Sequence, residues 1–544
     1  MKFFEKMMAL LLSLAAVLSF AMPAFAEEGL APTAAGTHTI TISFEKPGHE
    51  YVAYQVFKGD YYKAESDGKE HEHLSNIEWG SGVDGAGLLE DLQSEEDFKN
   101  AKTPADVAYI LEGYGDNSGK LDAFAKVVAK HLSNTIAGTS QPEASVDQNG
   151  KYVYKITGLS DGYYFVKDKN ELSPDANDAN TKYILQVLGD VEINAKADVP
   201  DIEKNITDAN GSSPRKGDSY NVGDTVYFEL TSRVPDMDGY DSYTYKVTDT
   251  LSDGLTLVQE DGKPKVTITI GGKPYTGEFE ATLDADKNVL TIEFTNFITQ
   301  KDKASKVIVI RYEAVLNEKA LQKDKENNSV YLEYSNDPNG TGTGKTTEKK
   351  TYVYNFDIDI VKHETGNVNK PLSGAEFVLY RLNNQNQKEY YNYNTGKKET
   401  EWKTLDNDNL ETIRAAVEAR KITSKTTNEN GEISFTGLGE GTYYLQEIKA
   451  PNGYNLPADA EATTKVEIVA RYKADGTIDL GNSNVTVKGT DHMYVTADIA
   501  NKPGPVLPST GGIGTTIFYV LGGILTVAAI VLLIVKKRME NTKR

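Results

Sequence analysis

From residue 37 to residue 501 the chain keeps returning to one pattern: short alternating runs of apolar and polar residues, broken by Gly, Asn and Asp. HTITISF at His38–Phe44, YVAYQVF at 51–57, YKVTDTL at Tyr245–Leu251 and VIVIRYEAVL at Val307–Leu316 are examples. A period of two sends successive side chains to opposite faces of a strand, so each run has one face to bury. Many short strands separated by turn residues bury those faces by stacking sheet on sheet. A chain of 544 residues is too long for one such stack. The expected fold is therefore mainly β, a tandem series of β-sandwich domains.

The first of these, ending at residue 196, is mixed. Between its opening strands and the later runs KYVYKI, GYYFVKD, KYILQVL and VEI lie helix candidates at 87–98, 104–112 and 119–133. In the last, Leu121, Phe124, Val128 and Leu132 share a face, and Pro104 suits a helix start. Helical insertions in a sandwich are expected. Pro200 marks a short linker, and a second domain follows at 197–353, almost all strand and turn. A third, 354–502, repeats the style with one helix candidate at 410–421.

The two ends stand apart. Residues 1–26 combine Lys2 and Lys6, an apolar run and a small-residue exit at Ala24 and Ala26, the pattern of a secretory signal peptide. Within 503–544 the uncharged stretch 517–535 extends about 28 Å as a helix, enough to cross a bilayer. Lys536, Lys537 and Arg538 follow at once, a positive flank that stays cytoplasmic and leaves the bulk of the chain outside. The 80 Asp and Glu outnumber 58 Lys and Arg, for a formal charge of −22. Such a surface repels nucleic acid and anionic lipid. Cysteine is absent, so an exported chain has no disulfide to brace it.

Two suggestive stretches lead nowhere. GTGTGKT at 340–346 lacks the first glycine of a phosphate loop, since position 339 is Asn, and no strand-then-helix pair flanks it. The seven histidines are scattered; only His71 and His73 are close, in a charged run that reads as solvated loop. No cofactor, metal site or hydrolytic constellation is expected.

Just ahead of the apolar segment stand Leu507, Pro508, Ser509, Thr510 and Gly511, then a Gly-rich spacer. Motif, spacer, helix and basic tail in that order resemble the cell-wall sorting signal of Gram-positive surface proteins. In that family a sortase cleaves after the threonine, here Thr510, and passes the acyl group through a thioester to an amine. The membrane helix holds the Pro-stiffened peptide near the enzyme and raises its effective concentration. YQVFKGD, YKVTDTLSDGLTL, YLEYSNDP, KPLSGAEFVLY and GTYYLQEIKAPNGY extend the likeness to nearly the whole chain. It resembles the sortase-assembled major pilins, three-domain shaft subunits of immunoglobulin-like (Cna-type) sandwiches carrying internal isopeptide bonds.

That resemblance implies a Lys amine joined to an Asn carboxamide with loss of ammonia. Burial lowers the lysine pKa and frees its lone pair. It also raises the pKa of a neighbouring acid, which can then shuttle protons. The product is a neutral amide, so no naked charge is left in the core. In the third domain, expected to be Cna-B-like, the matching residues are Lys362, Glu447 and Asn501. Tyr443, Leu445 and Glu447 share one face of their strand. In the second, expected to be Cna-A-like, they are Lys204, Asp249 and Asn328, with the adjacent Asn327 as the other acceptor. Only one of those neighbours can face the core. The first domain offers no such trio; Lys46 sits at a turn.

Polymerisation needs one more, exposed amine. VEINAKAD, where the family motif ends in Tyr-Pro-Lys-Asn, points to Lys196, although Ala195 and Ala197 depart from that motif. Lys182, Lys167 and Lys169 are alternatives. The resemblance implies identical subunits, a pilin-class and a housekeeping sortase, minor pilins, peptidoglycan and a host or cell-surface ligand as partners. A monomeric wall-anchored adhesin would share both ends and both internal bonds; the polymerisation lysine separates the two.

Overall fold

The computed structural model describes residues 37–44, 47–66, 69–114, 119–141, 145–169, 177–194, 199–338, 341–458, 462–489, 492–505 and 513–542. The architecture is mainly β, with three successive pairs of packed sheets and three early helices.

In the first pair, His38–Phe44 runs antiparallel to Tyr152–Leu159 and parallel to Val191–Asn194. The facing sheet joins Tyr51–Ser66, Lys69–Trp79, Gly162–Asp168 and Lys182–Val187. Ile40, Ile42, Tyr51, Ala53, Ile156 and Val166 fill the space between them. The second sheet is apolar on both faces: Val56, Phe57 and Phe165 turn away from the sandwich to meet Leu88, Leu92, Val107, Phe124 and Val128 from the helices. That second apolar face is why helices are inserted here. Pro104–Glu112 begins with a reciprocal cap between Thr103 and Asp106. Gly85–Gln93 and Gly119–Lys130 are shorter than the sequence pattern predicts. The first ends because the Ser94 hydroxyl donates to the Asp91 carbonyl, 2.6 Å, and the chain then turns to bury Phe98.

The second pair holds the largest core. One sheet carries Ile202–Thr207, Thr225–Arg233, Val307–Leu316 and Val266–Ile270; the other carries Tyr245–Leu251 between Val289–Phe294 and Lys325–Ser335. Lys349–Tyr354 pairs with the latter and leads through buried Asn355 straight into Phe356–Glu364, the opening strand of the third pair. There Phe356–Glu364 lies parallel to the closing strand, His492–Asn501. The opposite sheet contains Gly441–Lys449 beside Glu376–Leu382. The helix Leu410–Glu418 stops short of the expected 421 because Arg420 takes a left-handed backbone, φ 55°.

The junctions are hydrogen-bonded. Asn180 N–H donates to Asn336 O at 2.7 Å between the first and second pairs. Between the second and third, Val222 N–H donates to Gly437 O, 3.0 Å, and Asn355 ties back to Asp324 O and Ala320 O. Past residue 505 the chain re-emerges as a fully exposed helix, Ile513–Asn541, long and apolar enough to cross a membrane.

Candidate crosslinking sites

Alternation along Ile202–Thr207 points Lys204 inward with Ile202 and Ile206, and along Tyr245–Leu251 it points Asp249 inward with Val247 and Leu251. Asn328 lies inward on Lys325–Ser335, fully buried, while Asn327 is exposed. The three converge from opposite sheets. Lys204 Nζ is 2.5 Å from Asp249 Oδ2 and 2.6 Å from the Tyr312 hydroxyl. That hydroxyl donates to Asp249 Oδ2 at 2.7 Å and accepts from Asn328 Nδ2 at 2.7 Å. Lys204 therefore meets Asn328 through Tyr312. Asp249 Oδ1 and Asn328 Oδ1, both buried, have no hydrogen-bond partner, a state that costs about 1–3 kcal/mol per group. The sequence reading missed Tyr312. Its signal was the same alternation, since Ile308, Ile310 and Tyr312 share the buried face of Val307–Leu316.

In the third pair the contact is direct. Lys362 shares its strand face with Ile358 and Ile360, and Glu447 shares one with Tyr443 and Leu445. The parallel register sets Lys362 opposite Ile499, so Asn501 falls two residues on, on the same face. Lys362 Nζ donates to Asn501 Oδ1 at 2.7 Å and to Glu447 Oε2 at 3.2 Å; Asn501 Nδ2 donates to Glu447 Oε1 at 2.8 Å. All three side chains are buried. One carboxyl thus touches the nucleophile with one oxygen and the leaving nitrogen with the other.

Burial shifts the amine and the acid toward their neutral forms in both places. Burial lowers the Lys204 amine to about 8, against the pull of Asp249, and lowers Lys362 against Glu447. Burial raises the Asp249 and Glu447 carboxyls, outweighing their lysine and amide contacts. The rings of Phe228 and Phe377 stand 4.9 and 5.6 Å from the respective amines. Each amine and acid is thus shifted toward the neutral form that amide exchange uses, with the carboxamide in direct contact with the amine at Asn501 and linked to it through Tyr312 at Asn328.

Residues 222–338 match a family described as the Gram-positive pilin backbone subunit 2, Cna-B-like domain. Residues 357–484 match a prealbumin-like fold domain, and residues 500–541 an LPXTG cell wall anchor motif. The chain is a wall-anchored Gram-positive pilin. Its matched domain at 222–338 bears the Cna-B-like label where the sequence reading expected the Cna-A type. The pilin is 24% identical over 512 residues to the trypsin-resistant surface T6 protein of Streptococcus pyogenes serotype M6, covering 78% of this chain and 84% of that one. It is 25% identical over 379 residues to the fimbrial subunit type 2 of Actinomyces naeslundii, 65% of this chain and 64% of that one. Among solved structures it is similar to the T6 backbone pilin of S. pyogenes, with 16% identity, a TM-score of 0.49 and coverage of 87% and 94%.

The pilin is held in the membrane by its anchor helix before attachment to the wall outside. The signal peptide 1–26, Lys46, Lys196 and the motif Leu507–Gly511 lie outside the described residues, as does the Lys182 side chain. Among the described residues no lysine of the first sheet pair is buried. Its buried ion is His49, whose Nδ1 is 2.7 Å from Asp168 and whose Nε2 is 3.1 Å from Asp178. Burial disfavours the imidazolium, but the two carboxylates outweigh it and raise His49 to about 9.

His71 and His73 lie on the strand Lys69–Trp79, not in a loop; the ring of His73 stacks on Tyr62. One group that the sequence scattered comes together in the pilin. Asp357, Asp359 and His492 hold one donor atom each within 4.8 Å of one another, a spacing that could hold a metal ion. The carboxylates already have partners. Gly437 N–H donates to Asp357, Ser434 to Asp359, and His492 Nδ1 faces Asp324 of the preceding sandwich at 3.3 Å. The cluster joins the last strand to the junction.

Proposed function

We propose that this pilin is the shaft subunit of a covalent surface fibre. Sortase joins Thr510 of one copy to Lys196 of the next. The exported chain divides into 27–196, 197–353 and 354–502, and autocatalytic bonds Lys204–Asn328 and Lys362–Asn501 close the second and third domains. The observation that carries this reading is the pair of buried Lys, acid and Asn clusters, both in strands near the ends of their sandwiches. Each reaction balances: the ammonium gives one proton to the acid and one to the departing nitrogen, keeps one in the new amide, and ammonia leaves. Lys196 follows the strand Val191–Asn194 at the end of the first domain, where a neighbouring subunit's Thr510 can be joined. Minor pilins and a host or cell-surface ligand complete the assembly.

Immunoblots of wall extracts test the intermolecular bond. Wild type should give a high-mass ladder and Lys196→Ala a single band. A ladder that persists in the variant rejects Lys196, and no ladder in wild type returns the chain to the wall-anchored adhesin.

A further inference from the structure

We propose that Tyr312 is a catalytic proton relay for the Lys204–Asn328 bond, supplying in the second sandwich what the longer acid Glu447 does alone in the third. This rests on the crosslinking reading above. Glu447 spans both reacting nitrogens, Oε2 to Lys362 Nζ and Oε1 to Asn501 Nδ2. Asp249, one methylene shorter, puts its Oδ2 on Lys204 Nζ, leaving its Oδ1 with no hydrogen-bond partner. The Tyr312 hydroxyl fills the gap, 2.6 Å from Lys204 Nζ and 2.7 Å from Asn328 Nδ2.

A hydroxyl has one proton to give and two lone pairs. Here all three are engaged, the proton on Asp249 and the lone pairs on the two nitrogens that must exchange one. Packing fixes the ring in place, since Tyr312 is buried, stacked on Phe228 with centroids 5.4 Å apart, on the central strand of its sheet. In the reaction Lys204 first gives one proton to Asp249. The free amine attacks Asn328 Cγ, forming the new C–N bond. As Cγ–Nδ2 breaks, the Tyr312 O–H swings from the now protonated Asp249 to Nδ2, gives its proton there and takes one from Nζ. Ammonia departs, Tyr312 is unchanged, and Asp249 ends protonated. Without the hydroxyl, Asn328 Nδ2 loses the group that it is hydrogen-bonded to, and departure as an unprotonated amide anion is unfavourable.

The test follows both crosslinks in the same full-length chains, sampled after synthesis, quenched in denaturant and digested. In wild type both crosslinked peptides accumulate. In Tyr312→Phe the Lys204–Asn328 peptide should form at least tenfold more slowly while Lys362–Asn501 keeps its wild-type rate. Equal rates for Lys204–Asn328 overturn the relay. If neither peptide forms in wild type, the crosslinking reading itself fails. Because a misfolded second sandwich would lose the same peptide, a fluorinated tyrosine at Tyr312 is followed in parallel and decides. It keeps shape and hydroxyl but changes acidity, so a relay shifts the rate severalfold and a structural hydroxyl leaves it unmoved.

Discussion

A lysine with no exposed surface is a cost that the fold must offset, and here it appears twice, each time against an acid and an amide. Once the amide bond forms, neither charge remains to be buried. Removing the acid should therefore stop the chemistry and leave the lysine amine free in the core. In Glu447→Ala the Lys362–Asn501 peptide should be absent and the intact mass should rise by one ammonia, corrected for the substitution, with Lys204–Asn328 intact. His49 gives a second expectation at this scale. Its folded pKa, about 9, stands above the value near 6.5 of an unfolded chain. The protonated ion's contribution is complete below about 6.5 and disappears as pH rises through about 9. The first domain, where no crosslink is proposed, should melt at falling temperature across that window, and His49→Gln should flatten the dependence; an unchanged slope would remove His49 as its source. Lys204, Asp249, Lys362, Glu447 and Asn501 were named through the family resemblance, with alternation adding only that an acid such as Glu447 stands on an apolar strand face. Tyr312 was not, since a tyrosine on such a face is ordinary, and only pairing across sheets brings it to Asn328.

At the scale of elements the two sites differ in what they tie. Lys362 and Asn501 sit on adjacent parallel strands, the first and last of the third domain. Lys204 and Asn328 sit on opposite sheets, and Asn328 lies on the third strand from the end of the second domain. By the loop-closure argument used for disulfides, each bond is worth about 5 kcal/mol. Asn501→Ala should destabilise the third domain by at least that much in denaturant titration, because it also strands a buried amine. The proposed Lys204–Asn328 bond leaves Thr343–Lys345 and Lys349–Tyr354 outside its loop. Pulled between Lys196 and Thr510, the second and third domains should extend only in the stretch between Asn328 and Lys362, about 110 Å at full reach. A longer extension in single-molecule stretching would mean that one bond is missing. The strands themselves were legible from alternation. The helix ends were not: the Ser94 hydrogen bond and the left-handed Arg420 are local choices that apolar periodicity does not encode.

For the whole molecule, the two ends and the stiff junctions point one way. An acidic, cysteine-free exported chain with an anchor helix cannot rely on disulfides, and it places crosslinkable clusters in the two sandwiches nearest that anchor. Asn355 and the His492 cluster then join those sandwiches with little free chain between them. The junction cluster was invisible in the sequence, because Asp324, Asp357 and His492 are far apart along it. The central claim is that the folded chain has stapled itself twice. Intact mass spectrometry of the exported protein weighs that directly. We expect a mass below the sequence value by two ammonia, by only one in Lys204→Ala or Lys362→Ala, and by none in the double variant. A wild-type mass equal to that of the unmodified chain would contradict it.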